Sequence, residues 1–201
     1  MAALTPEDIA NMALAVLDEA SITTLDDDNM AARLINRHFD LTIEAELSKH
    51  VWAFAIFSAE VIGTDLATGE GTLNYVYEIP ADALRVLPLT YDGQPQGIPI
   101  SWRQEAGLIY SDQPSPRIIR YVANLTDPND WSAVFTEVVV AALAVKVALP
   151  LTHKSGMVQI AREAYQVALS QARRVNAFEL SSAYYDAGWS SWRGDNRFWR
   201  P

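Results

Sequence analysis

The sequence predicts an α+β fold: an antiparallel helical bundle of about four helices, an antiparallel β lobe inserted into it, and an extended C-terminal tail. Three observations predict it. Apolar residues recur at helical spacing near both ends of the chain, whereas Trp52 to Val122 breaks into short β-branched and aromatic runs separated by turn clusters. The last 22 residues, Leu180 to Pro201, show neither period. The resulting division is helices 1 and 2 in 1–51, the β lobe in 52–123, helices 3 and 4 in 124–180, and an extended docking tail in 181–201.

The first helix opens at T-P-E-D, where Thr5 suits the N-cap and Pro6 the first helical position, with Asp8 three residues on. Ile9, Met12, Ala13, Val16 and Leu17 supply its apolar stripe. Asp26–Asp28 cap a second helix reaching about Ser48, with Met30, Leu34, His38, Leu41 and Ala45 on one face. Strands are expected at Phe54–Ile62, Leu73–Ile79, Arg85–Leu89, Ile98–Arg103, Gly107–Tyr110 and Arg117–Val122, with sheet edges that need covering. T-D-P-N-D-W restarts helix, capped by Thr126 or Asp127. Trp131–Leu149 is apolar on nearly every side, which reads as a central buried helix ended by Pro150, and Lys146 within it argues against a membrane span. A fourth helix follows over Ser155–Leu180, where Ala161, Ala164, Ala168 and Ala172 allow close backbone approach.

Composition narrows the function classes. Half the residues are apolar and 20% charged, as in an ordinary globular chain, and no basic, apolar leader opens it. With no cysteine, disulfide and thiolate chemistry are excluded. Net charge is −10; Arg193, Arg197 and Arg200 against Asp186 and Asp195 leave the last 22 residues at +1, so residues 1–179 carry −11. A body this acidic repels a phosphate backbone.

Candidate chemistry is sparse. The Asp26–Asp28 run lacks the spaced oxygens, glycine and terminal glutamate of a calcium loop, and helix capping accounts for it. His38, His50 and His153 have no metal-ligand spacing, and Glu46 with His50 reads as a surface pair. Gly63, Gly69 and Gly71 do not open a helix and read as a hairpin tip, not a phosphate loop. No catalytic, cofactor-binding or metal residue is assigned and no cofactor is expected. Abundant carboxylates leave a hydrolase acting on surface polysaccharide or peptidoglycan as the alternative class.

The tail carries the strongest signal. It holds three of six tryptophans, and Tyr184, Tyr185, Trp189, Trp192, Arg193, Arg197, Phe198, Trp199 and Arg200 are of the types that dominate interface hot spots. Gly188 and Gly194 argue against a regular element. Its six aromatics can bury about 900–1,500 Å², one partner's share of a standard or larger interface.

Several stretches, in order, resemble the tail tubular protein A, or head-to-tail adaptor, family of short-tailed bacteriophages. They are L-D-E-A-S-I-T-T-L-D-D-D-N-M-A-A-R-L-I-N-R-H-F-D at Leu17–Asp40, H-V-W-A-F-A at His50–Ala55, Y-V-Y-E-I-P-A-D-A-L-R-V at Tyr75–Val86, R-Y-V-A-N-L-T-D-P-N-D-W at Arg120–Trp131 and W-S-S-W-R at Trp189–Arg193. The likeness spans nearly the whole chain; Glu19-Ala20, where a glycine is often found, and the ending G-D-N-R-F-W-R-P depart from it. The resemblance implies a structural virion protein of the neck, present in host cytoplasm during assembly. It implies a homo-oligomeric ring of twelve copies between the portal protein and the tail nozzle protein. Double-stranded DNA would pass through without specific binding, no membrane would be involved, and the C-terminal segment would climb onto the portal.

Overall fold

The structure is a computed structural model that describes residues 3–66 and 73–192, with side chains in the last helix described through Ser181. It is an α+β protein with four α-helices and two antiparallel sheets among the described residues. By contacts the chain divides into a helical unit, 1–42 with 127–201, and a β unit, 43–126.

In the helical unit, α1 (Pro6–Val16) starts as the sequence predicts. The Thr5 hydroxyl accepts from the Asp8 amide at 3.2 Å, and the Asp8 carboxylate accepts from the Thr5 amide at 2.9 Å. Its buried stripe is Ile9, Ala10, Ala13, Leu14 and Leu17; Met12, expected inside, is exposed. The Asn11 amide then pins the turn, receiving the Ile22 N–H at 2.8 Å and donating to its carbonyl at 3.1 Å.

Helix α2 (Met30–Lys49) begins later than expected because Asn29 takes the cap, its side-chain oxygen accepting from the Ala32 amide at 2.8 Å. The aspartates before it close the approach: Asp27 accepts from the Thr23 amide at 2.7 Å, and Asp28 pairs with Arg33 at 2.8 Å. The buried face is Ala32, Ile35, Phe39, Thr42, Ile43, Glu46 and Leu47, and Met30 and Leu41 are exposed. The expected stripe is therefore rotated away from the true one, which includes a threonine and a glutamate.

Helix α3 (Ala133–Thr152) is capped by Ser132, while Asp127 caps the short 3₁₀ turn Pro128–Asp130 before it. It is long and apolar enough to cross a bilayer, yet most of it is buried within the protein. Pro150 does not end it. A proline removes one backbone donor, and the helix runs on to Thr152, where His153 turns left-handed (φ 53°) and donates its N–H to the Leu149 carbonyl at 3.0 Å. Helix α4 (Ser155–Trp192) lays Ala161 and Ala172, both buried, and the half-buried Ala164 and Ala168 along its length, and its contact with α3 is the most extensive between helices. It continues twelve residues past Leu180, through Gly188, so the extended tail expected from residue 181 is helix as far as Trp192.

In the β unit, a 3₁₀ turn at Ala53–Ala55 leads into β1 (Ile56–Val61), followed by β2 (Thr64–Asp65), β3 (Tyr75–Glu78), β4 (Ala83–Val86), β5 (Trp102–Glu105), β6 (Leu108–Ser111) and β7 (Arg117–Ala123). The sheets have strand orders β1-β7-β4 and β2-β3-β6-β5. Tyr77, Val86, Leu89, Ile109 and Ile119 form the core they share, flanked by Val61, Tyr75, Ile79, Ile100 and Trp102. Ile98–Ile100 is not strand; it contributes one bridge, Thr90 to Pro99, and the strand starts at Trp102. Gly63 is no hairpin tip: it lies between β1 and β2 against the Tyr77 ring, and Gly69 and Gly71 fall outside the described residues.

Candidate interaction surface

An active site would be built from polar clusters. No group of three or more histidine, aspartate or glutamate side chains is placed to hold a metal among the described residues. His38 is half-buried on α2, His153 caps α3, and His50 stacks edge-on against Trp52 with centroids 5.0 Å apart. Glu46, expected at the surface, is only 2% exposed and accepts from Lys49 Nζ at 2.5 Å. The same turn anchors Trp52, whose indole N–H donates to the Glu46 carbonyl at 3.0 Å.

Two of the clefts lie in the helical unit. One of about 370 Å³ is lined by Asp26, Asp27, Arg33 and Arg37. Asp27 is held below the ordinary carboxylate range, first by the Thr23 backbone N–H and then by Thr24. A second, of about 560 Å³, lies between the turn after α1 and the end of α3, lined by Glu19, Ile22, Met30, Leu151 and His153.

In the β unit the one buried cation among the described residues is structural. Arg117 Nη1 donates to the Tyr91 carbonyl at 2.6 Å and Nη2 to the Pro114 carbonyl at 3.2 Å, with the guanidinium over the Tyr91 ring at 5.6 Å. It ties two loops to the start of β7. Burial raises the Tyr77 hydroxyl pKa against the lowering influence of Arg117. Burial likewise raises Tyr121, reinforced by the Asp82 carboxylate that accepts from it at 3.1 Å.

Among the described residues, α4 leaves an apolar surface exposed. At 38 residues it extends about 57 Å, against about 30 Å for the 20-residue α3. Its α3-facing side holds the alanines. A second apolar line is exposed: Ile160, Val167 and Phe178 (76% exposed) stand at steps of seven and eleven residues, within about 20° of one another around the helix. Val175 is exposed beside them. The sequence continues the spacing, since Tyr185 and Trp192 follow Phe178 at steps of seven and Trp189 follows Tyr185 at four.

Of the expected contact residues, Tyr184, Tyr185, Trp189 and Trp192 thus fall within α4, whereas Arg193, Arg197, Phe198, Trp199 and Arg200 lie outside the described residues. Sequence reasoning missed the Ile160–Phe178 line because the alanine stripe alone was followed. The seven-residue spacing was the signal available. No protein-family model matches the chain, and no curated protein sequence matches it either.

Proposed function

We propose that the chain is a head-to-tail adaptor of a short-tailed bacteriophage. In this reading twelve copies form a ring in the neck of the virion, joining the portal protein to the tail nozzle and leaving a lumen for double-stranded DNA. The observation that carries it is α4: a helix that outruns its partner α3, bears an exposed apolar line, and leads into a segment rich in tryptophan, tyrosine and arginine. Such a helix suits attachment to a large assembly, because Trp, Tyr and Arg anchors concentrate binding energy in few residues. Repetition around a ring multiplies modest contacts into avidity.

Two further features support the reading. The β unit is inserted between the second and third helices, the order in which the resembling motifs occur. The body's charge of −11 is suited to a channel through which DNA slides without adhering. Tyr184, Tyr185, Trp189, Trp192, Arg193, Arg197, Phe198, Trp199 and Arg200 are assigned to the portal contact.

The test is assembly. The full chain is mixed with the portal protein of the same virus and imaged, with a variant lacking residues 181–201 in parallel. A ring of twelve copies on portal, lost on truncation, is expected. Portal left bare by the full chain refutes the function; attachment undiminished by truncation refutes the role of the C-terminal segment.

A further inference from the structure

The two sheets have four outer strands, β1, β4, β2 and β5, and three of them carry features that discourage pairing with another chain. Strand β2 is two residues long. Strand β5 exposes Arg103, Gln104 and Glu105, with Arg103 and Glu105 paired at 3.4 Å. Strand β4 is interrupted by a bulge between Ala83 and Arg85, and Pro80 and Pro88 flank it.

Strand β1 has none of these. Its six residues pair with β7 in unbroken register from Ile56↔Val122 to Val61↔Arg117. It contains no proline or glycine and a single charge, Glu60. Among the described residues no strand occupies its other side. Alternate residues of a strand aim their N–H and C=O groups to each side, so about half of the β1 backbone groups face the open edge. Phe57 is exposed on the strand, and Ile62, just past it, is 84% exposed.

We infer that β1 is an association edge, and that its partner is β1 of a second copy of this chain, added antiparallel about a twofold axis at Ala59. The pattern is self-complementary in that register. Ile56 meets Ile62 of the second copy, Phe57 meets Val61, Ser58 meets Glu60, and Ala59 meets itself. Every apolar residue opposes an apolar one and Glu60 opposes a serine, so no like charges stand directly across from each other. The pairing joins two three-stranded sheets into one of six strands. It is small, and interfaces below about 1,200 Å² form transient complexes. The free protein therefore exchanges between monomer and dimer. This goes beyond the adaptor reading and does not depend on it.

The experiment uses the full chain. Sedimentation velocity from about 1 to 500 µM gives the association constant, and hydrogen exchange at low and high concentration reports the β1 amides. The mass is expected to rise from 22.3 kDa with concentration while exchange in residues 56–62 slows. Ile62→Lys, at a site too exposed to affect folding, weakens dimerisation about tenfold or more, since it sets an ammonium against Ile56. Glu60→Gln tightens it about threefold by removing the nearest repulsion across the axis. A mass that stays at 22.3 kDa throughout overturns the inference. So does self-association that survives Ile62→Lys but is abolished by Phe178→Asp, which would place the contact on α4.

Discussion

Replacing Gly63 by alanine tests the packing of the β unit at one atom. An added Cβ would lie 2.4 Å from Tyr77 Cε1, 2.7 Å from Cδ1 and 2.8 Å from Cζ. Carbon atoms in contact sit about 3.5–4.0 Å apart, so the ring must retreat by roughly 1 Å. It has no room to do so: Tyr77 is 1% exposed, packed with Val86, Ile109 and Ile119, and its hydroxyl donates to the Gln113 carbonyl at 2.6 Å. Overpacking costs about 1–3 kcal/mol and loss of the hydrogen bond about 1 kcal/mol, giving roughly 2–4 kcal/mol in total. Gly63 is not among the positive-φ glycines, so backbone strain adds nothing to this figure. Urea unfolding should show the loss directly, and thermal unfolding should show Tm lowered by roughly 5–15 °C. In a Tyr77→Leu background the same substitution should cost less by about 1.5 kcal/mol or more. A penalty below about 0.5 kcal/mol in the natural background, or strict additivity with Tyr77→Leu, refutes the assigned contact.

Other substitutions probe the remaining features. Arg117→Met leaves the Tyr91 and Pro114 carbonyls without their donor and should lower stability by about 2–4 kcal/mol, read by urea unfolding; a neutral result means the two loops hold without the guanidinium. Asp8 and Asp127 are, like Asp27, held below the ordinary carboxylate value of 3.8, chiefly by backbone N–H donors. A depressed folded pKa means the contribution is present above the unfolded value and is lost as pH falls below 3.8, so Asp8→Asn should flatten the acid limb of stability against pH. At the other extreme, the raised Tyr121 pKa gives stability that is present below about pH 10 and lost above it, and Tyr121→Phe should reduce that alkaline loss. Phe178→Asp should leave thermal unfolding unchanged and weaken portal attachment, and truncating Trp189 or Trp192 to alanine should each cost about 2–4 kcal/mol of that binding. Equal attachment by all three variants would remove α4 from the interface.

The sequence made the elements legible where local chemistry decides them. Thr5, Pro6 and Asp8 announced α1 because a capping box is a contact within one turn, and β-branched runs bounded by glycine and proline announced the strands. Faces were harder. Met30, Leu34, His38, Leu41 and Ala45 have helical spacing, yet the buried stripe of α2 takes in Thr42 and Glu46, whose polar groups are satisfied inside. Thr42 donates to the His38 carbonyl at 2.6 Å, and Glu46 holds Lys49. Burial of such residues depends on partners that hydropathy does not register. Pro150 and Gly188 misled in the same way: each costs a helix a bounded amount, about 3 and about 1 kcal/mol, which surrounding structure outweighs. The interaction surface was half visible, since tail composition pointed to contact while the line through Ile160, Val167 and Phe178 emerged only once α4 was seen to leave it uncovered.

The burial of α3 also bears on how the chain is made. Synthesis proceeds from the N-terminus, so α1 is complete before α3 leaves the ribosome, but α4, which covers the rest of α3, follows it. At about 5–20 residues per second, the 38 residues of α4 take roughly 2–8 s to appear. For that interval a 20-residue helix containing an 18-residue stretch of mean hydropathy 2.0 is displayed with one flank bare, resembling a membrane segment to any factor that samples nascent chains. The order of synthesis thus leaves α3 waiting for the alanine side of α4, which arrives last to close over the helix behind it.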